Sequence, residues 1–81
     1  MGEELQQAMD ELGRAINALS PEEKEYLKEI QAQIDAVVEQ DPTLDRRMEF
    51  CQALIFSPKD KLSSKRVINA CKKYIKIVEG S

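Results

Sequence analysis

The chain has 81 residues, 33% of them charged and only 5% aromatic, with no Trp and no His; 12 basic and 15 acidic side chains leave a net charge of −3. Such a length makes one small domain, residues 1–81, near the lower limit for a self-sufficient core. The lack of His excludes imidazole bases, Ser-His-Asp and Cys-His pairs and the ordinary zinc sites.

In chain order, residues 3–19 form the first predicted helix. Leu5, Met9, Leu12, Ile16 and Leu19 recur at spacings of 4, 3, 4 and 3, a heptad seam widened by Ala8 and Ala15. Gly13 interrupts it, either to admit a close helix approach or as a sign of fraying. Ser20-Pro21-Glu22-Glu23 starts the second helix, residues 21–40. Ser20 caps, Pro21 suits the first helical position, and Glu23 stands where a capping box needs it. Tyr26, Leu27, Ile30, Ile34, Val37 and Val38 share one arc of this helix. Glu22, Glu25, Glu29, Asp35 and Glu39 populate the other face, with Lys24 and Lys28 as counter-charges.

Asp41-Pro42 predicts a third start, with Asp41 as cap and a helix over residues 42–56. Its stripe is Leu44, Met48, Cys51, Leu54 and Ile55. Ser57-Pro58-Lys59-Asp60 predicts the fourth helix, residues 58–78, with a break near Leu62-Ser63-Ser64 as the alternative, where a serine would cap a fresh helix from Lys65. Its apolar positions, Val67 to Val78, cover about 180°, wider than a bundle seam needs. Short connections favour antiparallel neighbours. The expected fold is all-α, a small antiparallel four-helix bundle, reduced to three helices if the first segment frays.

Charge is divided along the chain. Residues 1–56 carry 5 basic and 13 acidic side chains, and residues 57–81 carry 7 and 2. On a helical wheel Lys65, Arg66, Asn69, Lys72, Lys73 and Lys76 fall together, opposite the apolar arc of the last helix. The plain reading of this stripe is solvation, because exposed charges contribute little to stability. The sharper reading is a binding face for an acidic protein surface, with nucleic-acid phosphates as the alternative. An acidic overall balance weighs against nucleic acid, whose binders are usually strongly basic.

A second candidate interface comprises Arg46, Arg47, Phe50, Phe56 and Ile77. The two arginines oppose the dipole at a helix start, and Asp41 and Asp45 are the expected local offsets. The three apolar residues lie off the core stripes, and at least one of them is expected under a second chain. Cys51 and Cys71 read as buried thiols packed as small hydrophobes. Tyr26 and Tyr74 read as packed rings with hydroxyls in water. The paired carboxylates sit on an open helix face and read as solvation, not acid/base chemistry.

The glycines, Gly2, Gly13 and Gly80, are too scattered to form a phosphate-cradling loop. Two cysteines cannot close a four-thiolate metal site, and no cofactor is expected. There is no apolar run of about 18 residues to span a membrane. The first residues lack the basic and apolar regions of a signal peptide, so a cytoplasmic protein with reduced thiols is expected. The functional expectation is a non-enzymatic protein–protein interaction module: a small regulator, adaptor, inhibitor or chaperone-like subunit, working as a homodimer or in a hetero-complex. A nucleic-acid-binding module using the same basic helix is the alternative.

Overall fold

The computed structural model describes residues 2–80. Four helices follow one another: α1 (Gly2–Asn17), α2 (Pro21–Gln40), α3 (Arg46–Ile55) and α4 (Lys65–Gly80), and the described residues contain no strand. The chain is thus all-α, a small four-helix bundle, and its first segment is helical from Gly2 onward. Among the described residues, no helix is long and apolar enough to cross a membrane.

Local chemistry sets the helix starts. Ser20 has extended backbone geometry and its Oγ accepts from the Glu23 N–H at 3.3 Å, while Pro21 opens α2. The third helix starts later than the expected Pro42. Asp41 instead closes α2, its N–H donating to the Val37 carbonyl at 3.0 Å. Its carboxylate accepts from the backbone N–H and the hydroxyl of Thr43, at 3.2 and 2.6 Å, which ties residues 41–43 into a turn. Such side-chain bonds compete with helix formation. Asp45 then caps α3, accepting from the N–H groups of Arg47 and Met48.

The fourth helix likewise does not begin at Pro58. The Pro58 carbonyl accepts from Lys61 and Leu62, both at 3.0 Å, and the turn goes no further. Ser64 Oγ accepts from the Val67 N–H at 3.3 Å and caps α4, the break foreseen at Leu62-Ser63-Ser64. The extra loop has a packing function. Leu62 is only 2% exposed and closes one side of the core.

The packed pairs are α1 with α4, α4 with α3, and α3 with α2. The helix α4 is therefore flanked on two sides, which accounts for its wide apolar arc. Val67, Ala70, Cys71 and Tyr74 are buried, and Ile68, Ile75, Ile77 and Val78 pack against the same core. Tyr74 is only 4% exposed and lies within the core. α1 buries Ala8, Leu12 and Ala15, with Leu19 just beyond it, whereas Leu5, Met9 and Ile16 are half-buried. Its seam is rotated by one residue from the expected heptad, because the small alanines face α4 and let the two helices approach. Gly13 does not serve close packing: a Cβ placed there would meet nothing within 4 Å.

α2 and α1 are consecutive, yet they are not a packed pair. Leu27 is the one buried residue of α2. Tyr26 Oη donates to Ser57 Oγ at 2.7 Å rather than to water, and Ser57 Oγ donates to the Ala53 carbonyl at 2.8 Å. The Ser63 N–H reaches Glu23 Oε2 at 3.3 Å. Farther along, Asp35 Oδ1 lies 3.0 Å from Arg46 Nε. α2 is thus fastened to α3 and the following loop, and it stands away from α1. The result is a slab of 34 × 30 × 17 Å.

Candidate functional site

Two surfaces carry chemistry that the fold does not consume. The first is the outer face of α4. Lys65, Arg66, Asn69, Lys72, Lys73 and Lys76 are all exposed, and they lie opposite the buried Val67, Ala70, Cys71 and Tyr74. Helical periodicity places them so: a residue repeat that sends one set inward sends its complement outward. Among the described residues only Lys73 of this stripe makes an ion pair, with Glu11 of α1 at 3.4 Å. Both side chains of that pair are about half exposed, a setting in which ion pairs contribute little.

The second surface is a groove of about 750 Å³ between α1, α2 and α3. It follows from the slab topology, since α2 leaves one flank of α1 uncovered. Met9, Leu12, Ile16, Leu27, Ile34 and Phe50 line its apolar floor. Exposed Lys24, Lys28, Arg46 and Arg47 form its rim, with Asp45 as the one acidic lining residue. Gly13, Asn17 and Gln31 complete the lining, and no residue of α4 takes part.

The second candidate interface is divided by this geometry. Arg46, Arg47 and Phe50 come together on the groove. Arg46 is balanced by Asp35 on the neighbouring helix, not by Asp41. Arg47 Nη1 donates to Met9 Sδ at 3.3 Å and so links α3 to α1 across the groove. Phe56 does not line the groove and stands 85% exposed just after α3. Ile77 packs half-buried against the chain's own core.

Cys51 and Cys71 are free thiols with no solvent exposure, facing each other across the α3–α4 contact. The hydrogen bond with Cys51 and then burial push the Cys71 thiol far above its ordinary range. The same bond holds Cys51 below its ordinary value, helped by the nearby Arg47 guanidinium and opposed by burial. The pair packs as small hydrophobes.

The groove was missed as a whole by sequence reasoning, although three signals for it were present. These were a mid-helix glycine, an arginine pair against the helix dipole, and a phenylalanine off the core stripe. No family model matches the chain, and neither a curated protein nor a solved structure matches it.

Proposed function

We propose that the chain is a non-enzymatic protein-interaction module, a small cytoplasmic regulator, adaptor, inhibitor or chaperone-like subunit, that docks on an acidic partner surface through α4. The observation that carries this reading is the face of α4 on which Lys65, Arg66, Asn69, Lys72, Lys73 and Lys76 stand exposed, with a single ion pair among them within the described residues. A rigid helix that holds several cations in one plane raises the local concentration of an anionic partner and orients it. The buried side of α4 is taken up by α1 and α3, so the stripe is free to engage without unfolding the core. The partner is a second protein or, in a homodimer, the acidic face of α2 in another copy.

Lysine-directed cross-linking in a cell extract, followed by mass spectrometry of the linked sites, tests this reading. Cross-links should concentrate on Lys65, Lys72, Lys73 and Lys76. Charge reversal at Lys72→Glu, Lys73→Glu and Lys76→Glu should weaken the captured complex by about tenfold or more while helicity holds. Capture that survives the triple reversal at low salt reduces the stripe to solvation. Tight binding of a DNA duplex in a mobility shift, lost in the same variant, moves the function to nucleic acid.

A further inference from the structure

The groove inverts the charge of the part of the chain that builds it. Residues 1–56 hold 13 acidic and 5 basic side chains. Four of those five cations, Lys24, Lys28, Arg46 and Arg47, line the groove with one carboxylate, Asp45, while Glu25 and Asp35 stand just outside the lining. Lys28 is paired with Glu25 at 3.2 Å, an exposed contact of the kind that contributes little, and Arg46 with Asp35 at 3.0 Å, where the Asp35 oxygen is itself buried. Lys24 and Arg47 have no ion pair among the described residues. Below this rim lies the apolar floor, to which the half-buried Met9 and Ile16 contribute.

Gly13 is a second, independent pointer. A glycine inside a helix is unfavourable relative to alanine. Here the fold asks nothing of it, since a Cβ would meet no atom within 4 Å. What its missing side chain does is leave the middle of the α1 wall open. Sites that break a local rule without a structural return are where function is expected.

We propose that this groove docks an amphipathic helix of a protein partner whose apolar anchors are flanked by Asp and Glu. The walls set its length. Lining residues run from Lys24 to Ile34 on α2, about 15 Å at the helical rise, and from Met9 to Asn17 on α1, about 12 Å. That accommodates roughly three turns, with anchors at i, i+3 or i+4, and i+7, the helix-in-groove mode of recognition. The anchors meet the apolar floor, and the flanking carboxylates meet Lys24 and Arg47. No α4 side chain is used, so this site succeeds or fails independently of the lysine stripe.

The test is a display library of short helical peptides panned on the full chain, with Gly13→Leu as the counter-target. Leucine there fills the groove and favours the helix, and thermal unfolding checks that the variant folds. Enriched peptides should pair the i, i+3/i+4, i+7 apolar pattern with Asp or Glu. A synthetic copy should bind Gly13→Leu about tenfold more weakly or worse, and Arg47→Glu or Lys24→Glu roughly three- to tenfold more weakly. Its affinity for the Lys72→Glu, Lys73→Glu, Lys76→Glu chain should be unchanged. Enrichment without acidic residues, equal binding to Gly13→Leu and to both rim variants, or no enrichment at all overturns the proposal. So does a dimer in sedimentation that Gly13→Leu disperses, which would give the groove to a second copy.

Discussion

Single residues show where local preference and tertiary demand diverge. Gly13 has open space around its Cα, so Gly13→Ala should stabilise the protein by about 1 kcal/mol through helix propensity alone. A urea midpoint that rises with an unchanged slope is the expected readout. The Cys51–Cys71 pair makes a pH prediction. Both thiols have an ordinary value near 9.0, and the shared hydrogen bond, with burial second, keeps the Cys71 proton in place well above that. Above pH 9 the unfolded chain releases both protons and the folded chain at most one. Stability tied to Cys71 is therefore fully present below pH 9 and falls above it, at up to about 1.4 kcal/mol per pH unit. Denaturant titrations between pH 8.5 and 10 should show this loss in the native chain and a shallower one in Cys71→Ala.

Among the elements, the four helices are not equally held. α1 and α4 are a packed pair, and between them they bury Ala8, Leu12, Ala15, Val67, Ala70 and Cys71, all nearly inaccessible. α2 contributes one buried residue, Leu27, and a few polar ties. Stability within a fold follows buried apolar contact, so the turns of α2 beyond Leu27 should open first. Amide hydrogen exchange should show residues 30–40 unprotected well before α4. The tie from Tyr26 to Ser57 is a net contribution of about 1 kcal/mol at most, and Tyr26→Phe should speed exchange in α2 while leaving α1 and α4 unchanged. Equal protection of α2 and α4 would contradict this account of the slab.

At the scale of the molecule, charge and shape are segregated together. The lysine stripe lies on the outside of α4, and the cation-rimmed groove lies among α1, α2 and α3. Because the stripe's side chains are exposed and carry one weak pair among the described residues, reversing Lys72, Lys73 and Lys76 should shift the melting temperature by only a few degrees at moderate salt. A collapse of the fold in that variant would mean that the stripe is structural after all.

The helical class, the count of four helices and the polarity of the α4 faces were legible in the chain. Each depends on short-range rules: Ser20 and Pro21 cap and open a helix by themselves, and one helical wheel suffices to gather Lys65 to Lys76. Even the start of α4 at Lys65 was foreseeable from Ser64, though not the service of Leu62 as a core plug from a loop. The start of α3 was misplaced because two aspartates compete as caps, and the turn closed by Thr43 on Asp41 hands that role to Asp45. Which faces meet was decided only in three dimensions. Ala8 and Ala15 allow α1 to lie close on α4, α4 uses its full arc on two neighbours, and α2 is drawn to α3 instead of to its sequence neighbour. The groove, its apolar floor and its cationic rim are consequences of that choice, for a space bounded by three helices has no signature in the periodicity of any one of them.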